Sequence, residues 1–230
     1  DHSELAMDFS EHHGRRQFPS LSVGRTDTRF LQSAEPIGVL VVSHVLNELD
    51  DDARAGLAGL CARAQTILWV EPGTHEVSRA LGGWREKLGA AGLLAVAPCP
   101  HNTACGVLAA GNERHWCHFF ASPPPSLYAD SDWVRFGQRA GIDLRSLPYC
   151  FLALDRRPIG TPPGHSCILG EPRHHKGYAK IFNCDSGGVS ELMLQKRDAP
   201  ELFKSLKRGT GPDLRHWKHT AGRIRQIGPS

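Results

Sequence analysis

The spacing of apolar positions changes period several times along the chain, and each change predicts an element. Residues 1–16 read as the end of a strand and then a helix, with Leu5, Ala6 and Phe9 on one side and Gly14 as its stop. Leu21-Ser-Val23 predicts a short strand. Ile37-Gly-Val-Leu-Val-Val42 is a continuous apolar run, the pattern of a central parallel strand buried on both faces. Asp50, Asp51 and Asp52 then supply an N-cap and negative charge at a helix start, and Leu57, Leu60, Cys61 and Ala64 form its apolar stripe. Thr66-Ile-Leu-Trp-Val-Glu71 is the next buried strand, Pro72-Gly73-Thr74 a turn, and 75–90 a helix ending at Gly89 or Gly92. Strand, helix, strand, helix predicts a doubly wound α/β sheet.

Beyond this repeat the period is lost. Leu93–Ala97 predicts a strand that delivers Cys99, and residues 98–128, rich in Pro, Gly and His, predict an insertion. Asp130 or Ser131 caps a helix carrying Trp133, Val134, Phe136 and Ala140, and Tyr149–Leu154 predicts a strand, containing Cys150, that returns antiparallel to the sheet edge. Residues 156–164 form a Pro/Gly linker. After it, Cys167–Leu169, Ala179–Cys184 and Val189–Leu194 predict short strands, with Asp185-Ser-Gly-Gly188 as a hairpin turn. The expected organisation is an α/β domain over 1–155, the linker, and a small β module over 165–230.

The charge is uneven. Residues 173–230 hold 12 Lys/Arg against 5 Asp/Glu, and residues 1–172 hold 15 against 19. A basic C-terminal module with His174, His175, Tyr178, His216 and Trp217 suits a phosphate-rich partner, most simply RNA, while a merely solvated basic face has the same composition. There is no apolar run long enough to span a membrane and no signal-peptide pattern. The absence of an initiator Met predicts a fragment or processed product. Seven cysteines at irregular spacing suit a reducing compartment rather than a disulfide framework.

Three of those thiols crowd one segment, as Cys99-Pro-His-Asn-Thr-Ala-Cys105 followed by Trp116-Cys117-His118. Pro98, Pro100 and Gly106 break regular structure, so the sulfurs can converge on a metal or cluster. Three buried thiols acting as small hydrophobes are the alternative. His101, His115 and His118 would complete a zinc site, whereas a fourth thiolate from elsewhere would favour iron and sulfur. Cys61, on a predicted helix stripe, reads as core.

Ser43-His-Val-Leu-Asn-Glu-Leu49 directly follows the predicted central strand, at the carboxyl edge where doubly wound sheets bind ligands. This strand and segment resemble the fourth strand and following motif of class I S-adenosylmethionine-dependent methyltransferases. Five stretches sharpen the resemblance: Val42–Leu49, Trp69-Val-Glu-Pro-Gly-Thr74, Ala97-Pro-Cys-Pro-His101 with Cys105, Trp116-Cys-His-Phe119, and Lys176-Gly-Tyr178 leading to Cys184. Together they resemble the methyltransferase-like small-ribosomal-subunit assembly family of mitochondria and bacteria, from about residue 1 to about residue 217.

That resemblance implies a class I methyltransferase-like sheet and an iron-sulfur cluster, 4Fe-4S or a two-iron rhomb, held by Cys99, Cys105, Cys117 and Cys184, leaving Cys61, Cys150 and Cys167 unassigned. It implies S-adenosylmethionine at Asp1, His44 and Asn47, although the family's Gly-rich loop would precede Asp1. It also implies ribosomal RNA of the small subunit as partner, with neither DNA nor membrane, in the mitochondrial matrix or bacterial cytoplasm. Lys176, Lys180, Lys196, Arg197, Lys204, Lys207 and Arg208 are the expected phosphate contacts. Ser43-His-Val-Leu46 stands where base-amine methyltransferases carry an Asn/Asp-Pro-Pro-aromatic segment. An assembly factor is therefore expected ahead of an active RNA methyltransferase using His44, Asn47 or Glu48, and ahead of a zinc-binding nucleic-acid module.

Overall fold

The computed structural model describes residues 3–144, 146–159, 163–206 and 213–228. Asp1, Lys207 and Arg208 lie outside the described residues. The chain opens with α1 (Glu4–Gln17) and α2 (Thr28–Gln32), capped by the Ser3 and Asp27 side chains. Gly14 does not end α1. It lies inside the helix, where a Cβ would meet Val23 Cγ1 at 3.3 Å, so its role is to let the following loop pack close. The strand expected at Leu21–Val23 is irregular chain.

The α/β body follows as β1 (Ile37–Ser43), α3 (Asp51–Arg63), β2 (Ala64–Pro72), α4 (His75–Ala90), β3 (Leu94–Ala97), β4 (Phe119–Ala121), α5 (Pro125–Ala129), α6 (Ser131–Ala140) and β5 (Leu147–Asp155). Asp50, one of the three aspartates expected to cap α3, accepts from Ala53 N, and Thr74, read from the sequence as part of a turn, caps α4 by accepting from Val77 N. β1 and β2 are parallel, joined through α3, and β5 lies antiparallel beside β2, with Thr66 opposite Asp155 and Pro72 opposite Tyr149. β3 and β4 both pair with the far side of β5, at its opposite ends. The strand expected at the sheet edge is thus the middle of the sheet. Its pattern explains the error, since alternate burial along β5 suits an edge as well as an interior strand.

β1 departs from expectation in the other sense. It is an edge strand of the described sheet, with Val42 buried but Val39 58% and Val41 67% exposed. Leu57 and Cys61 of α3 join Val77, Leu81 and Leu88 of α4 in a single core against Val42, Ile67, Trp69, Leu152 and Leu154. That core covers one face of the sheet, and Val39, Val41 and Leu68 stand on the other.

Asp155 ends β5 and ties the body to the start of the linker. It accepts from Gln65 Nε2, Thr66 Oγ1 and the Arg157 guanidinium at 2.7–3.1 Å. Arg157 foremost, then Thr66, holds this carboxyl far below the usual carboxylate range. A depressed folded pKa gives stability that is complete above the ordinary carboxylate value and is lost as pH falls through the folded one. Asp155→Asn should therefore lower Tm at neutral pH, and the gap from wild type should shrink towards about pH 2. A gap that is constant with pH would refute the ionic role.

The C-terminal module is a closed barrel. β6 (His165–His174), β7 (Tyr178–Asp185) and β8 (Gly188–Gln195) form an antiparallel meander, and α7 (Pro200–Ser205) leads to β9 (Asp213–Thr220) and β10 (Arg223–Ile227). β9 pairs antiparallel with β6, while β10 pairs antiparallel with β9 and parallel with β8, closing the order β10-β8-β7-β6-β9. A three-strand meander, a helix and a closing hairpin make the Greek-key topology of an OB-fold. Ile168, Ala179, Ile181, Leu192, Leu194, Trp217 and Ile224 fill its interior with Phe203 and Leu206.

Strand alternation turns the intervening residues of β7, Lys180, Phe182 and Cys184, to the outside. Part of that outer face is buried against the body. Cys167, Leu169 and Cys184 of the barrel form one apolar cluster with Val107 and Phe119, flanked by Cys105, Cys117, Phe151 and Val189.

Candidate metal centre

α4 organises the cysteine segment. His75, Ser78, Arg79, Gly82, Arg85 and Glu86 recur at three- and four-residue spacing, so they share one helical face. Each touches the 98–118 excursion. The His75 ring donates to Glu113 O at 2.7 Å, Ser78 Oγ donates to Cys117 O, and Leu108 packs over Gly82. Arg79 Nη1 donates to the carbonyls of Val107, Asn112 and His115 at 2.6–3.1 Å. Arg85, with a side chain only 7% exposed, donates from Nε to Cys99 Sγ at 3.2 Å and from Nη2 to His101 O and Thr103 O at 2.8 and 3.0 Å. Its neighbour Glu86 accepts from Cys105 N at 3.0 Å and pairs with the same guanidinium. These carbonyls would be costly to bury unpaired, at about 1–3 kcal/mol each. Sequence reading missed this face, although two Arg and a Glu in register on an amphipathic helix were its signal.

The barrel closes the segment from the other side. At Gly106 a Cβ would stand 2.7 Å from Val189 N and 2.8 Å from Gly188, so only glycine lets the chain pass the β7–β8 turn. Cys105, next to Gly106, lies in the same apolar cluster as Cys184. Asn102 fixes the approach to the loop by accepting from Ala95 N at 2.6 Å and donating to Ala95 O at 3.3 Å.

Cys105, Cys117 and Cys184 share one apolar cluster at this seam, and Cys99 packs against the neighbouring body core. Burial pushes the Cys117 thiol well above its ordinary pKa, and Cys99, Cys167, Cys184 and Cys105 all lie close enough to raise it further. Burial also raises Cys184 and Cys99, the latter opposed by Arg85. Cys61 and Cys150 stand apart in the body core, where burial lifts them to about 11 and about 12, as expected of inert thiols. Cys167 is different from the sequence reading in one respect: it pairs across the strands with Cys184 and shares the seam.

Of the loop histidines, His101 has its Nε2 3.6 Å from Cys184 Sγ. His115 instead lies on the Phe182 ring, and His118 on Trp116. The gathered thiols are not drawn around a point: among the described residues, no group of three or more His, Cys, Asp or Glu side chains forms a metal-binding set. What is present is a half-buried, sulfur-rich group of side chains with a guanidinium donating to one sulfur, which fits a soft, anionic cluster in kind.

The turn after β1 presents His44 and Asn47, both exposed, and His44 has φ 55°. Ser43 Oγ lies 2.9 Å from His44 Nδ1. A residue missed in the sequence, fully buried Glu71, shapes this turn. Its Oε1 accepts from Val45 N, Leu46 N and Trp69 Nε1 at 2.8–3.3 Å.

The basic residues divide between two places. Lys196 N donates to Gly177 O at 2.9 Å, which brings Lys176, Lys196 and Arg197 to one end of the barrel, with exposed Lys204 on α7 nearby in sequence. Lys180 stands on the outer face and pairs with Glu191 at 2.7 Å. No helix among the described residues is long and apolar enough to cross a membrane.

A parallel β1–α3–β2 unit carried into an antiparallel β5 agrees with a methyltransferase-like α/β body followed by a separate β module. No curated protein matches the chain. Residues 4–213 match the sequence model described as Mitochondrial small ribosomal subunit Rsm22, and the chain belongs to that family of ribosome-assembly proteins with a methyltransferase-like fold.

Proposed function

We propose that this chain is a small-ribosomal-subunit assembly factor that binds ribosomal RNA through its barrel and carries an iron-sulfur cluster on Cys99, Cys105, Cys117 and Cys184. The observation that carries the reading is the seam, where half-buried Cys105 and Cys117 of the body join buried Cys184 of the barrel in one cluster, and Arg85 donates to Cys99 close by. Four thiolates suit a cubane cluster. Bound there, the cluster would supply a crosslink. The protein's own residues do the rest: α4 holds the loop, Gly106 admits the β7–β8 turn, and Cys184 commits the barrel to one orientation on the body. That fixed orientation presents Lys176, Lys196, Arg197 and Lys204 to phosphate, with Lys180 on the adjoining face and Lys207 and Arg208 following α7 in sequence. The site of action is the mitochondrial matrix or the bacterial cytoplasm.

The same reading keeps S-adenosylmethionine as ligand of the turn after β1, with His44 and Asn47 on it and Asp1 as third member. Binding stands ahead of catalysis, because Ser43-His-Val-Leu46 departs from the Asn/Asp-Pro-Pro-aromatic pattern with which base-amine methyltransferases hold their acceptor.

RNA binding by charge predicts a steep salt dependence. Lys196→Glu with Arg197→Glu should weaken binding to structured small-subunit ribosomal RNA and flatten the slope of log K against log salt by about 2. Filter binding over a salt series measures both. Unchanged affinity and slope would mean that this end of the barrel is only solvated.

A further inference from the structure

Where β6, β7 and β8 run side by side, their outer face leaves the metal seam and opens into a cleft of about 710 Å³ beneath residues 112–118. The cleft is built by specific distortions. β6 slips register between Leu169 and Arg173, and Gly170, at φ 65°, lies so close to the His118 ring that a Cβ there would stand 2.8 Å from Nε2. Gly170 N also donates to His118 O at 2.8 Å, which fixes the overhanging loop to the barrel.

Two aromatic pairs face the space. His115 lies over Phe182 with centroids 4.4 Å apart, and Trp116 stacks with His118 at 4.6 Å and 20°. Arg114, Arg173 and Lys180 surround them, and Glu191 pairs with both Arg173 and Lys180. Flat rings ringed by cations, with one carboxylate among them, match a planar base joined to phosphates. The volume is that of a small-molecule site. A duplex would keep its bases stacked away from such rings, whereas a single strand can splay one onto them.

Resting on the RNA-binding reading above, we propose that this cleft is a single-stranded RNA site, in which a base stacks on the outer side of His115, which Phe182 supports from behind, while flanking phosphates meet Arg114 and Arg173. The second and third strands of an OB-type barrel, here β7 and β8, carry the same outer face that such barrels offer to oligonucleotides. The site is distinct from the basic end at Lys176, Lys196 and Arg197, where charge alone acts. Stacking is tolerant of base identity, so the cleft holds an unpaired stretch rather than reading a sequence.

The test compares fluorescent oligoadenylate with a duplex RNA by anisotropy at fixed salt, using the full chain. Phe182→Leu should lower oligoadenylate affinity by about tenfold or more and leave the duplex unaffected, and Phe182→Tyr should retain binding. Because Phe182 also packs against the metal seam, iron content is measured for each variant. Arg114→Glu, on the exposed loop, should give the same selective loss without that complication. Unchanged oligoadenylate binding in both Phe182→Leu and Arg114→Glu, or equal losses for the two RNAs, overturns the proposal. A wild-type protein that binds duplex but not oligoadenylate removes the cleft and leaves the broader RNA reading standing. One that binds neither removes both.

Discussion

Cys184→Ser protein, purified without oxygen, should come off the column colourless where the wild type is brown. Serine replaces a soft thiolate with a hard, poorly ionised hydroxyl, and of the four assigned ligands Cys184 is the one the barrel contributes. The same loss is expected for Ser at Cys99, Cys105 or Cys117. Cys61→Ser and Cys150→Ser should remain brown, since both thiols lie in the body core. Cys167→Ser is the sharpest control, because Cys167 faces Cys184 across the β6–β7 pair yet is given no ligand role. Loss of the cluster should also free the loop and the barrel from each other, raising protease cleavage near residues 156–164 while the body core stays folded. Stoichiometric zinc without iron, or full iron retained in Cys184→Ser, would return the fourth ligand to a loop histidine, and His101 is the one beside Cys184.

Gly106→Val should cost the cluster although every thiol is intact. Backbone atoms of Gly188 and Val189 occupy the space that a side chain at 106 would need, and backbone cannot rotate aside as a flexible side chain can. The turn or the loop must move, at about 1–3 kcal/mol for overpacking of this kind. That strain falls between the residue after Cys105 and the turn that follows Cys184. Expected are a lower iron content per chain, measured by metal analysis and visible absorption, and a lower Tm for the barrel. Wild-type iron content in Gly106→Val would show that the β7–β8 turn is not what sets the spacing of the thiols.

How much of this was legible before folding depended on whether the signal was local. The helices α3 and α4, the cap of α3 and the apolar run of β1 follow from short-range pattern, and so does the crowding of Cys99, Cys105 and Cys117. The position of β5 does not, because pairing with β2 across some 90 residues depends on register, which local periodicity does not carry. The same holds for the closure of the barrel through the parallel contact of β10 with β8, and for Cys167 falling opposite Cys184. The run at β1 reads as doubly buried because burial was inferred from composition, yet only the Val42 side is covered by described residues. Arg85 was passed over for the opposite reason. Its chemistry is ordinary, and only the loop folded onto α4 shows that it holds two carbonyls and a sulfur.

The central place of β5 has a consequence for the order of events during synthesis. β2 must wait for a partner made some 90 residues later, so the body sheet cannot be completed until residue 155 is available. By then Cys99, Cys105 and Cys117 have all been made, and Cys184 has not. Three thiols therefore await the fourth until β7 has emerged and paired. A cluster seated at the seam would then mark a chain whose body is finished and whose barrel has reached β7, and a chain stalled between residues 155 and 184 would carry a complete body with no means of locking its orientation to the barrel.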